Sequence, residues 1–167
     1  MGLALNQNQI SDNFYDFSMR LEDEIVQRSF KNEYEKAIVN MVFSYNWLVN
    51  FHVDLLKPYD ITIQQYNILR ILRGQHSKPA TIKLIKERML DRMSDASRIV
   101  EKLRVKGMVE RNICATDRRN VDVLITEKGL NLLAEIDKYE DEMEKRLSAL
   151  NNDEVKQLNE LLDKMRG

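Results

Sequence analysis

The sequence predicts a mainly α-helical chain with one small β-hairpin, and three observations carry that prediction. Long stretches on both sides of the centre repeat apolar residues every three or four positions, the period of an amphipathic helix. Residues 81–105 hold two short helical patterns joined by a brief connection. Residues 108–125 then give two strand-like runs around a charged turn. Helix, turn, helix, strand, basic loop, strand is the order of a winged helix-turn-helix. The helices before and after it would be long N- and C-terminal dimerisation helices.

The first helix of the unit starts after Lys78-Pro79, because the residue before a proline is pushed out of the helical region. Thr81 supplies a capping hydroxyl. Ile82, Ile85 and Met89 form one apolar face, with Lys83, Lys86, Glu87 and Arg88 mostly opposite. The second helix, 94–106, is expected to start at Ser94 as its cap. Ala96, Ile99, Val100 and Leu103 face the core, leaving Ser97, Arg98, Glu101, Lys102 and Arg104 outward. Gly107 sits where a left-handed residue would end the helix. The N-terminal residues of such a second helix approach base edges in the major groove. Here those are Asp95, Ala96, Ser97 and Arg98, with Arg98, Lys102 and Arg104 set to anchor phosphates and Ser94 counted among the DNA-binding residues.

The wing consists of a strand over Met108–Arg111, a second over Asn120–Ile125 and the loop 112–119 between them. Arg118 and Arg119 are adjacent at its tip and point in different directions. One can reach phosphate or a narrow minor groove. The other can pair with Asp117 and stiffen the loop.

The stretch DRRNVDVLITEKG, Asp117 to Gly129, resembles the wing signature of the MarR family of dimeric transcription regulators. Asp117 and Arg119 match its Asp-x-Arg, and Thr126 and Gly129 match the Thr-x-x-Gly that opens a long helix. SRIVEKLRVKGMVER, Ser97 to Arg111, is similar to the family's recognition helix and first wing strand. The likeness covers roughly residues 30–167 in order of elements. One departure is the turn Arg88–Met93, which lacks the glycine often found there; Ile85-Lys86 also replaces a small residue. The resemblance implies a homodimeric, cytoplasmic repressor that reads double-stranded DNA at a palindromic operator. It also implies relief by a small amphipathic or phenolic effector. The lining of that effector's pocket would include Tyr45, Trp47, His52 and Tyr66, aromatic groups that equally suit plain core filling.

The 167 residues fit one domain with an extension. Net charge is −1, but residues 78–120 hold 12 Lys and Arg against 6 Asp and Glu, a net +6, and the remainder carries −7. Basic charge gathered on one lobe is the footprint of a nucleic-acid reader. A winged-helix protein-interaction module is the alternative, favoured by Asp95 and Glu101, which repel phosphate.

One cysteine excludes an internal disulfide framework. No secretory leader and no apolar run of about 20 residues is present, so no membrane span is expected. His52, His76 and Cys114 are too few and too scattered for a zinc site, so no metal and no cofactor is expected. Cys114 lies near basic wing residues that can lower its pKa and make it oxidisable, but a bystander role in the wing is the favoured reading. No phosphate loop or nucleophile elbow appears, and Glu140, Asp141, Glu142 and Glu144 read as a solvated face, so the chain is not read as an enzyme.

Four segments follow. Residues 1–29 form an N-terminal extension, with an amphipathic pattern over 13–28 that needs either a partner subunit or the domain's own first helix. Residues 30–60 hold the N-terminal dimerisation helix, whose stretch 30–57 would span about 42 Å. Residues 61–126 form the DNA-binding lobe, opened by a helix over 61–73 with Thr62 as cap and Gly74 as its closing residue. Residues 127–167 supply the C-terminal dimerisation helices, one from Thr126 to about Leu147 and one over 153–166.

Overall fold

The computed structural model describes residues 20–27, 29–75, 78–113 and 121–167. The chain divides into two compact units, Met1–Phe51 and His52–Gly167. The wing tip, with Cys114, Asp117, Arg118 and Arg119, lies outside the described residues, as does His76.

Most of the N-terminal amphipathic pattern also falls outside them; within them, α1 is a single turn over Leu21–Glu24. The long helix α2 spans Glu33–Leu56, 24 residues, shorter than the 28 expected. Its start is set by Asn32, whose Oδ1 accepts from the Glu35 amide at 2.9 Å. Lys57-Pro58 ends it as expected, in a 3-10 turn over Lys57–Tyr59 that closes on Asp60 in the left-handed region.

The second unit is built on α3, Ile63–Gly74. Thr62 and Gln65 form a reciprocal capping box, which satisfies two amides that the helix itself cannot. Ile68, Leu69 and Leu72 from α3 are essentially inaccessible. Gly74 does not close α3 in the left-handed region; it is the last helical residue, and Gln75 follows with φ −96°. The helix's last orphan carbonyls are satisfied by the Gln75 amide, so no left-handed residue is required.

A short strand the sequence did not announce, β1 (Ala80–Thr81), precedes α4 (Ile82–Arg88). Thr81 caps α4 through the Leu84 amide, 3.2 Å. Helix α5 covers Ala96–Val105, and Gly107 ends the segment at φ +71°. Strands β2 (Val109–Ile113) and β3 (Val121–Ile125) pair antiparallel with Val109 opposite Ile125 and Arg111 opposite Val123. Strand β1 adds to the other edge of β3, giving the order β1-β3-β2. Two residues carry too little alternation to betray a strand, which explains why β1 escaped the sequence.

Beyond the wing, Thr126 caps α6, Glu127–Asp137. The single helix expected to Leu147 is broken. The Tyr139 amide turns back to the Ile136 carbonyl and the Glu142 amide to that of Tyr139, so a tight turn separates α6 from α7, Glu140–Arg146. Leu133 and Ile136 of α6 sit in the same buried cluster as α3, α5 and the hairpin. Helix α8, Asn152–Arg166, opens on a second capping box, Asn151 with Glu154. No helix among the described residues is long and apolar enough to cross a membrane.

Candidate nucleic-acid interface

Helix α5 is fixed from its apolar side. Ala96, Val100 and Leu103 recur at four and three residues and are buried, while Ser97, Arg98, Lys102 and Arg104 are exposed. A helix docked this way presents one polar face in one orientation.

Its start differs from expectation. Asp95, not Ser94, is the cap, with Oδ1 accepting from the Arg98 amide at 3.1 Å. Ser94 instead donates its hydroxyl to Asp91 Oδ2 at 2.5 Å. Asp95 meets the positive end of the helix dipole, which explains an acid at the start of a helix whose exposed face carries Arg98, Lys102 and Arg104. Ala96 is buried, so of the four residues expected near base edges, Ser97 and Arg98 are the exposed pair on the helix itself.

The connection between α4 and α5 holds its shape without glycine. The Leu90 amide donates to Asn67 Oδ1 of α3 at 3.1 Å. Asp91 accepts from the Met93 amide at 3.0 Å and from Ser94. These hydrogen bonds, Ser94 first, and one from Gln64 of α3 hold the Asp91 carboxyl below its ordinary range. Side chains from α3 thus replace the backbone freedom that a glycine would give.

An open cleft of about 330 Å³ runs between the start of α3 and α5. Thr62, Gln64 and Gln65 line one side, and Ser94, Asp95, Arg98, Ile99 and Lys102 the other. Two exposed cations, Arg98 and Lys102, lie on its α5 side.

The remaining cations are partly committed. Arg104 bonds Glu101 through Nε (3.1 Å) and Nη2 (2.8 Å). Arg111, on β2, donates to the other oxygen of Glu101 at 3.0 Å. Arg104 first and then Arg111 pull the Glu101 carboxyl down to about 2. Glu101 therefore clamps the helix to the first wing strand. The Glu101–Arg104 pair is readable as an i,i+3 spacing, but its link to Arg111 appears only once the hairpin is folded.

Of the four aromatic positions expected to line an effector pocket, two fall in each unit. Tyr45 is exposed and Trp47 half-buried in the first unit. In the second, His52 is half-buried, and Tyr66 is buried in the core with the Arg70 guanidinium 5.7 Å above its ring. No group of three or more His, Cys, Asp or Glu suited to a metal ion occurs among the described residues.

Residues 61–121 match the model of the MarR family. The chain carries a MarR-family domain. The MarR family is one of DNA-binding transcription regulators. The chain is similar to the HTH-type transcriptional regulator MgrA of Staphylococcus aureus, 26% identical over 111 residues, 66% of this chain and 74% of that protein. Among solved structures it resembles a MarR transcription factor from Planctomyces limnophilus. The TM-score is 0.63 and the identity 26%, covering 81% of this chain and 98% of that one. It also resembles the S. aureus MepR–DNA complex, with TM-score 0.69 and 25% identity over 82% of this chain and 97% of that one.

Proposed function

We propose that the protein is a homodimeric repressor that reads a palindromic operator, with α5 in the major groove and the 112–120 wing at the flanking groove. The observation that carries this reading is the placement of Arg98 and Lys102. Both are exposed on a helix whose opposite face is locked into the core, and both line a polar cleft. Ser97 and Arg98 would meet base edges, Lys102 phosphate, and Arg118 and Arg119 the flanking groove.

Dimerisation is supported by apolar surface that one chain leaves in water. On α2, Tyr34, Ile38, Val42 and Tyr45 recur at helical spacing and are exposed; on α8, Leu158, Leu161 and Met165 are exposed. A second copy related by a two-fold axis would cover such stripes. It would also set two α5 helices about 34–36 Å apart, one turn of DNA. Relief by a small amphipathic or phenolic molecule completes the proposal.

The test is binding of the full chain to duplexes selected from a random pool, across a salt series. The selected duplexes are expected to contain inverted repeats protected symmetrically in a footprint. Lys102→Ala is expected to flatten the slope of log affinity against log salt by about 0.9 per lost contact. An unrepeated half-site would refute the two-fold operator, and binding that is indifferent to salt and selects no duplex would refute the DNA reading and leave the winged helix as a protein-interaction module.

A further inference from the structure

Two large apolar side chains stand in water on the connection between α4 and α5. Met93 is 94% exposed and Leu90 87% exposed. Neither packs on the core, and neither lies on the stripes that would serve a second copy. The segment around them is nevertheless held. Asp91 fixes the Met93 amide and the Ser94 hydroxyl, and Asn67 fixes the Leu90 amide. The backbone of the turn is thus held in place, and it presents the Met93 side chain to solvent beside the start of α5.

Met93 lies two residues ahead of the Asp95 cap, at the end of α5 that leads into the groove. Its neighbours on that end, Arg92, Ser97 and Arg98, are polar and exposed. The edges of base pairs in the major groove offer donors, acceptors and a single kind of apolar group, the 5-methyl of thymine. The methionine side chain is unbranched and polarizable, and adapts to a small apolar partner.

We propose that Met93 is a specificity-determining residue that selects thymine by packing on its 5-methyl group at the edge of each half-site. This rests on the DNA-reading function above and adds a residue and a base preference to it. Leu90 lies three residues further from the helix and is assigned no base.

The experiment measures affinity of the full chain for its selected duplex and for the same duplex with every thymine replaced by uracil, which lacks only the methyl. Wild type is expected to lose roughly fourfold for each contacted methyl, about tenfold to twentyfold over two half-sites. Met93→Ser is expected to lose a similar factor on the thymine duplex and to be nearly indifferent to uracil. That difference removes any general effect of uracil on duplex shape. Leu90→Ser, which takes an equally exposed apolar group from the same turn, is expected to respond to uracil as wild type does. Both variants keep the wild-type Tm, since neither side chain packs on the core.

If Met93→Ser binds the thymine duplex as tightly as wild type, or remains as sensitive to uracil, the assignment is overturned. Transfer of the uracil response to Leu90→Ser would overturn it as well. In each of these cases sequence-selective binding survives, so the DNA reading stands. A chain that selects no duplex at all overturns both.

Discussion

Alanine at Gly129 and alanine at Gly74 should act in opposite directions, although both glycines lie in helices. A Cβ built on Gly129 would sit 2.5 Å from the Met108 carbonyl oxygen and 2.8 Å from Ile125 Cγ1. The first obstacle is backbone. That carbonyl already accepts from the Thr126 amide at 3.1 Å, the bond that seats the start of α6 beside the wing. Overpacking of this kind costs about 1–3 kcal/mol. Loss of the backbone bond adds about 1 kcal/mol, and the better helix propensity of alanine returns about 1 kcal/mol. The net is a destabilisation of about 1–3 kcal/mol, a Tm lowered by roughly 2–12 °C for a chain of this size. Gly74 meets nothing within 4 Å and has no left-handed backbone, so Gly74→Ala should be neutral or stabilising by up to about 1 kcal/mol. Denaturant unfolding of both variants gives the comparison. Gly129→Ala within about 0.5 kcal/mol of wild type, the ordinary range for surface changes, would show that the wing and α6 are not packed as described.

The Glu101 clamp gives a pH signature. Its carboxyl lies at about 2 in the folded chain against an ordinary 4.5, so its contribution is fully present above about pH 4.5 and fades as pH falls towards 2. Glu101→Gln should therefore lower Tm at neutral pH, with the gap to wild type closing between pH 4.5 and 2; parallel Tm curves across that window would exclude the clamp. Thr126→Ala removes both the cap on the Gly129 amide (3.2 Å) and the hydroxyl bond to the Gly107 carbonyl (2.8 Å), and should cost about 1–2 kcal/mol in denaturant unfolding. Asn67→Ala leaves the Leu90 amide without its side-chain acceptor; a loss of about 1 kcal/mol is expected. A drop in duplex affinity should accompany it, because the connection into α5 loosens. Unchanged amide exchange at Leu90 in that variant would count against the turn geometry.

What the sequence made legible follows the range of the interaction involved. Thr62, Thr81 and Thr126 act as caps as read, because a cap and its amide are three residues apart. The buried face of α5 was visible in the spacing of Ala96, Val100 and Leu103. The choice between Ser94 and Asp95 as cap was not, because both residues suit it; the competition is decided by Asp91, which engages the Ser94 hydroxyl. Strand β1 and the Glu101–Arg111 bond depend on partners brought in by folding, β3 for one and β2 for the other. The break at Lys138-Tyr139 is harder to foresee, since the apolar period continues through it. Periodicity reports which residues want burial, not whether the backbone between them stays helical.

The same distinction applies to charge. Residues 78–120 carry a net +6, and that count alone makes every lysine and arginine in the segment a candidate for phosphate. The folded chain sorts them. Arg104 and Arg111 are spent on Glu101, and Lys106 on Asp60, whereas Arg98 and Lys102 line the polar cleft. The paired arginines still add to the field that draws a polyanion towards the lobe, because pairing within the segment leaves its net charge unchanged. They are poor anchors, since a phosphate would have to displace a charge-assisted carboxylate bond before gaining its own. Attraction at a distance and contact at the surface are thus carried by different residues. Glu101, acidic on the face proposed to meet DNA, serves the second by fixing α5 against the strand that carries Arg111.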